Sequence, residues 1–594
     1  MKRTEASAKY RGDFSHLYKS NDDGKADLKN LVTIVEEIAK FKGKLNDKET
    51  FFKYLKIDEE SDMIAIKLMQ YLHLLDINQT DNELQQLEGL YANEAQKIGA
   101  LTSFIAPELK SVGRETLIGG LNENEETKKL VYGYEKFFEH AKHVLDDKSE
   151  ELLSKVSRSR GAIFDMYDTA AYADRQESEI EGNGKVQPLT TTLYMEILED
   201  SDPIKDQQKR LEAARLYSKN FVDKKHTFAK IYEGIINRGV EGNKLRDYPS
   251  NLESSLSGDN VSKEIYLKLL EVGSKTIAPF QRFCLITKNH YGLEKYYPTD
   301  RQLKLVKEYN RTFSVDEAKE IILEAMKPMG QEYAEKLAIA GTDHYIDFYE
   351  DTNKRDGAYS SGGGSVEPII LMNGDDKLNS VNTLAHESGH SVHTLFADAN
   401  QPYPLSEYPI ILAEVASTMN EHLLFDHLYK TTTDKNEKIY LLQQRIHDLV
   451  STFYRQIQFA DFEYQAHTMV ESGQPLTADL LAQLFKDVEQ KYGYDVFEKS
   501  DKLGYGGPRI SHFFHSPFYV YKYAVDVVAS YKLFNDLKNG NNENILNFLK
   551  AGGHKDPLEI MLDAGIDFTK EETYQPLVNA IDKMCSELEE LLKN

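Results

Sequence analysis

The chain has 594 residues, enough for roughly two to four domains of ordinary size, and its 40% hydrophobic and 28% charged content excludes a disordered protein. A formal net charge of −25 would repel phosphate backbones, so nucleic acid is excluded as an expected partner. Apolar runs stay far below the roughly 20 residues that cross a bilayer, which argues against a membrane partner.

The N-terminus, Met1-Lys2-Arg3-Thr4-Glu5, has no apolar stretch behind its basic pair and does not read as a secretory signal. Two cysteines, Cys284 and Cys585, make no disulfide framework, so a reducing cytoplasm is expected. From Phe14 to about Leu121 the pattern is helix after helix. Leu31, Val32, Ile34, Val35 and Ile38 give a helical stripe within Leu28 to Phe41, and Met63, Ile64, Ile66, Leu68 and Met69 give another from Ser61 to Leu75. Helices continue to about residue 175. Gly182-Asn183-Gly184, with Ile180, Val186 and Leu189 around it, then predicts a short β-hairpin. A boundary here divides the chain into residues 1–190, an N-terminal helical domain, and 191–594, a catalytic one. Asp202-Pro203 reads as a helix start, with the helix running towards Gly239, and Ser314 to Glu317 reads as a capping box. At Lys354 the texture changes. Ser360-Ser361-Gly362-Gly363-Gly364 predicts a loop, and Val366 to Met372 a strand whose Pro368 suits a sheet edge. An extended peptide could add to such an edge, which makes Ser361, Gly362 and Gly363 candidate substrate contacts. An ordinary hairpin edge beside a glycine turn fits these residues equally well.

The run that follows carries the chemistry. Asn379 or Ser380 can cap a helix on which Leu384, Val392, Leu395 and Phe396 recur at helical spacing. Within it His386-Glu387-Ser388-Gly389-His390 is an H-E-x-x-H motif. Residues four apart share a helix face, so His386 and His390 can bind one metal ion, with Glu387 as general base for a water beside it. A catalytic zinc takes three protein ligands. His393 lies about 10.5 Å along the axis from His386, too far for one ion, and reads as a core or supporting histidine. Glu414 is the better third ligand. It interrupts the apolar run of a helix starting near Ser406, where a carboxylate must be paired or bind metal. Glu421 lies on the same face and can accept from a ligand imidazole. After Gly504-Tyr505-Gly506-Gly507 comes an aromatic segment. Its His512, His515, Tyr519, Tyr521 and Tyr523 are candidate donors to an oxyanion, with core packing as the alternative.

Taken together, His386 to His390, Ala413 to Glu421 and His512 to Tyr523 resemble the thimet-oligopeptidase-like metallopeptidases, and within them the bacterial oligoendopeptidase F branch. The resemblance is strongest over residues 350–530. It implies a mainly α fold: an elongated multi-helix body with a deep central channel and one small β-sheet near the zinc helix. It also implies one zinc ion held by His386, His390 and Glu414, Glu387 as base, and short unstructured peptides as substrates. The expected activity is therefore zinc-dependent endopeptidase action on oligopeptides. An exopeptidase of the same fold is the enzyme alternative and would need Arg509 to receive a free carboxylate. A helical peptide-binding protein with structural zinc is the non-enzyme alternative, against which an intact Glu387 speaks. Nothing in the sequence sets an oligomeric state.

Overall fold

Capped amphipathic helices make up most of the molecule. The computed structural model describes residues 2–182, 184–306, 311–364 and 366–593. It is 69% helical, and among the described residues the strands form two small sheets, so the mainly α expectation holds. None of the described helices is long and apolar enough to cross a membrane.

Packing gathers the chain into two compact units, each built from three separated segments. The first comprises residues 1–142, 310–428 and 533–565, and the second residues 143–309, 429–532 and 566–594. A single division at residue 190 does not describe this packing. That residues 1–190 fold alone stays a proposal, to be tested by expressing that fragment.

In the first unit, α1 (Asn21–Ala39) is capped by the Ser20 hydroxyl, which accepts from the Asp23 N–H at 3.3 Å. It buries Leu31, Val35 and Ile38 of the predicted stripe together with Leu28, while Val32 and Ile34 are half-buried. Helix α2 (Lys48–Leu72) begins well before Ser61, because Asp47 caps it and Phe51 and Tyr54 continue its buried face. With α3 (Asn82–Thr102) these helices close a core in which Leu68 and Leu87 meet Ile369 and Leu371.

The second unit opens with α4 (Asp147–Asp168) and the predicted hairpin, β1 (Glu179–Gly182) antiparallel to β2 (Lys185–Pro188). Asn183 of its turn lies outside the described residues. Asp202 does not start the next helix. Its carboxylate accepts from the N–H groups of Ile204 and Lys205 and closes a turn, and α5 (Gln207–Asp223) starts beyond it. A break at Lys224 separates α5 from α6 (Lys225–Arg246).

Back in the first unit, Ser314 caps α7 (Val315–Ala325) as expected, and α8 (Gln331–Ala340) follows. Three strands come next: β3 (Ile346–Tyr349), β4 (Tyr359–Gly363) and β5 (Val366–Gly374), in the order β3-β5-β4. Two expectations change here. The serine–glycine run is strand β4 rather than a loop, and it forms the edge, while the Pro368 strand is central. Pro368 is tolerated there because pairing with β3 starts only at Ile370 and the β4 ladder is irregular between Ser361 and Gly363. Gly362 makes the close approach possible, since a Cβ on it would lie 2.6 Å from the Pro368 Cα.

Helix α9 (Leu378–Asn400) has Lys377 at its N-cap, with no side-chain cap. Ser380 instead donates its hydroxyl to Asp375, at 2.8 Å, and accepts from the Asp375 N–H. Helix α10 (Ile410–Thr431) starts after Ser406 because Pro409 disfavours helix in the residue before it. The second unit also contributes α11 (Gln456–Glu471) and the start of α12 (Tyr521–Lys538).

Candidate active site

The site begins with how closely α9 and α10 cross. At Gly389 a Cβ would lie 2.6 Å from the Ser417 Cα and 2.8 Å from the Ala416 carbonyl oxygen, so only glycine lets these backbones touch. Asn420 of α10 locks the crossing. Its amide donates to the Ala385 carbonyl at 2.9 Å, and its oxygen accepts from the Tyr333 hydroxyl of α8 at 2.5 Å. Neither Gly389 nor Asn420 was singled out from the sequence. A glycine inside a helical stripe and an amide inside an apolar run were the signals available.

The crossing brings Glu414 against both motif histidines. His386 Nε2 is 3.2 Å from His390 Nε2 and 3.2 Å from Glu414 Oε2, and His390 Nε2 is 3.5 Å from the same oxygen. Ligand atoms at zinc distances in a tetrahedron are separated by about 3.3–3.4 Å, so this triangle has the dimensions of three sides of a zinc site. Among the described residues it is the one cluster of three such side chains.

Electrostatics favour a cation there. Burial acts to lower the pKa of His386, but Glu414 and Glu421 outweigh it and hold the ring up to about 10. Glu421 Oε1 accepts from His386 Nδ1 at 2.8 Å, which leaves Nε2 to face the triangle. Burial pushes Glu414 upward, yet hydrogen bonds from His386 and His390 leave it well below the usual carboxylate range. The Ser417 hydroxyl also donates to its Oε2 at 2.9 Å. A metal ion between these atoms would replace the proton they share.

Glu387 is 6% exposed. Burial raises its pKa above the ordinary glutamate range, against the pull of His386 and His390, and the Ser360 N–H is directed at its carboxylate. Ser360 also ties β4 to α9, its hydroxyl 2.8 Å from that of Ser391. Ser361 faces the other way. Its hydroxyl is 3.2 Å from His73 Nε2 and its carbonyl accepts from Gln70. Gly362 is exposed and Gly363 half-buried, so the three candidate substrate contacts lie on the edge strand.

His393 is a core residue. It is 1% exposed, stacks on Tyr408 at 3.8 Å and approaches Phe548 at 5.5 Å, and burial lowers its pKa to about 3. A hydrogen-bonded support for a ligand imidazole is not what it provides.

The second unit holds the aromatic segment. His512 Nε2 is 3.4 Å from the Tyr523 hydroxyl, and its ring stacks on Tyr519 at 5.8 Å. Tyr519 precedes α12, and its ring meets that of Tyr523 edge-on at 5.5 Å. Tyr521 is 1% exposed and its hydroxyl is directed at Asp259, at 3.4 Å, so it is a packing residue and leaves the candidate set. His515 is engaged by Asp168, with Nε2 2.9 Å from Oδ1. The Arg509 guanidinium lies over the Tyr217 ring at 4.8 Å.

These features define a metallopeptidase, and comparison with known proteins agrees. The family model for peptidase family M3 matches residues 203–579, and one described as Oligopeptidase F matches residues 108–176. The chain belongs to peptidase family M3. Among its relatives, Oligopeptidase PepF of Bacillus subtilis is 29% identical over 99% of this chain and 88% of that protein. The Group B oligopeptidase PepB of Streptococcus agalactiae is 28% identical, covering 99% and 98% respectively. Of solved structures, oligoendopeptidase-F from Enterococcus faecium aligns with a TM-score of 0.71 at 26% identity, over 97% of this chain and 100% of that one. A structure from Chlamydophila abortus aligns with a TM-score of 0.89 at 27% identity, over 99% of both chains.

Proposed function

We propose that this metallopeptidase is a zinc-dependent endopeptidase that cuts internal bonds of short, unstructured peptides. The observation that carries the reading is the triangle of His386 Nε2, His390 Nε2 and Glu414 Oε2, 3.2–3.5 Å on a side, with buried Glu387 one residue from the first ligand. Zinc, when bound, supplies Lewis-acid polarisation of the scissile carbonyl. His386, His390 and Glu414 would hold it, and Glu421 keeps His386 in the tautomer that presents Nε2. Glu387 takes the proton of the attacking water and returns it to the leaving amine. Its burial, which raises its proton affinity, suits both halves of that transfer. The outer edge of β4, where the Ser361 carbonyl already accepts from Gln70, is where an extended peptide would add by main-chain hydrogen bonds. Donors to the developing oxyanion are assigned, from the sequence pattern, to His512, Tyr519 or Tyr523, while His515 is engaged by Asp168.

Cytoplasmic action fits two buried, free cysteines, and we place the enzyme there. Digestion of one defined nonapeptide, with the products weighed over time, tests the endopeptidase reading. Internal cuts from the first time point are expected. Stepwise loss from the C-terminus would support the exopeptidase alternative, which the engagement of Arg509 with Tyr217 disfavours.

A further inference from the structure

The shape of residues 516–523 depends on Glu463, a side chain outside the reaction described above. Phe518 has φ 58°, a left-handed conformation that residues other than glycine seldom adopt, and it is 1% exposed. Its N–H donates to Glu463 Oε1, on α11, at 2.8 Å. Glu463 is itself 1% exposed, and its second oxygen has no hydrogen-bond partner among the described residues. An unpaired carboxyl oxygen in a core is destabilising, and an aliphatic side chain would fill the same space without that penalty. Burial pushes its pKa up to about 8. Among the described residues, the groups named around it offer no cation to justify a carboxylate: Tyr232, Tyr266 and His467, whose pKa burial lowers to about 3 and whose ring lies 4.5 Å from that of Phe518. Packing alone therefore does not account for a glutamate here.

The left-handed residue decides which neighbours turn inward. Phe518, Val520 and Tyr521 are each 1% exposed, while Tyr519 is half-buried and stands beside His512 and Tyr523. Asp259 fixes the next turn through Lys522, at 2.6 Å, and the Ser255 hydroxyl reaches the Pro517 carbonyl at 3.4 Å. The Tyr519 N–H donates to the Ser516 carbonyl at 3.1 Å and closes the turn around Pro517 and Phe518, and Glu463 adds the side-chain anchor on the left-handed residue itself.

We propose that Glu463 is a positioning residue for peptide hydrolysis: its hold on the Phe518 N–H sets the turn that presents Tyr519, with His512 and Tyr523, as one cluster of donors. The proposal rests on the reading that this cluster acts in the reaction. Glu463→Gln keeps an acceptor oxygen for the N–H, whereas Glu463→Leu keeps only bulk. In the metal-loaded enzyme we expect the Gln variant to stay within about threefold of wild-type kcat. The Leu variant should fall by about tenfold to hundredfold, with KM, bound metal and Tm nearly unmoved, since a small misplacement can cost that much. Tyr519→Phe and Tyr523→Phe run beside them. If a tyrosine variant is slow while Glu463→Leu turns over normally, the reading stands and the proposal falls. If both tyrosine variants are normal, the reading fails and the proposal with it, whatever Glu463→Leu does. Equal losses in the Gln and Leu variants, or a kcat loss that tracks Tm, would also overturn it. Should the Leu chain not fold, Glu463→Asp withdraws the oxygen from the N–H by one methylene and carries the same expectation.

Discussion

The helix pair α9–α10 and the segment 512–523 hold their polar side chains by different means. In the pair, regular helix geometry does the work. Two imidazoles four residues apart share a face, one glycine lets the second helix approach, and the Glu414 carboxylate arrives beside them. In the segment, no regular element spans the cluster. A left-handed phenylalanine, a buried glutamate and a short turn bring His512, Tyr519 and Tyr523 together. A site built on helix periodicity tolerates little change in spacing but needs little support, whereas one built on a turn needs remote residues to hold it.

That contrast can be tested at each point. The largest effect is expected at Glu387. Glu387→Gln keeps the shape of α9 and removes the base, so kcat should fall by at least about 10²–10⁴-fold while metal and peptide still bind. Next come the tyrosines of the segment, Tyr519 on the turn and Tyr523 in the first turn of α12. Tyr519→Phe or Tyr523→Phe should lower kcat by about 10²–10³-fold with KM little changed, the mark of a donor used only in the transition state. Steady-state kinetics on a defined peptide check both, and normal turnover in both tyrosine variants would mean that the segment is packing.

The same contrast explains what could be read from the sequence. The H-E-x-x-H spacing is a local signal, and Glu414 announced itself as a charge inside an apolar run, so the gathering of these three side chains was legible. Capping residues were less so: Ser380 looked like an N-cap, but Asp375 takes its hydroxyl instead. Strand order was not legible at all. Pro368 pointed to an edge, and only the register with β3 and β4 shows how a central strand accommodates it. Tyr519, Tyr521 and Tyr523 look alike in sequence. Their separation into cluster and core depends on the φ of Phe518, anchored by Glu463 55 residues away, and on Asp259, 262 residues from Tyr521.

Smaller effects sharpen the comparison further. Gly389→Ala puts a methyl against the Ser417 backbone, so it should destabilise the first unit by about 1–3 kcal/mol and weaken metal binding, measured by urea unfolding and metal titration. His393→Phe should be the mildest. Burial holds this ring's pKa at about 3, below its unfolded value of about 6.5, so between those pH values the unfolded chain binds a proton that the folded one refuses. Stability therefore falls as pH falls through that window, by up to about 1.4 kcal/mol per pH unit. The Phe variant should lose less than about 1.5 kcal/mol at pH 7 and recover about 2 kcal/mol relative to wild type at pH 5.

The central claim is that His386, His390 and Glu414 hold one zinc ion and that His393 does not. Its most direct test is bound zinc per chain, weighed by native mass spectrometry, for the wild type, Glu387→Gln, His393→Ala and Glu414→Ala. One zinc in the first three and none in Glu414→Ala is the predicted result. A loaded Glu414→Ala chain beside an empty His393→Ala chain would contradict it.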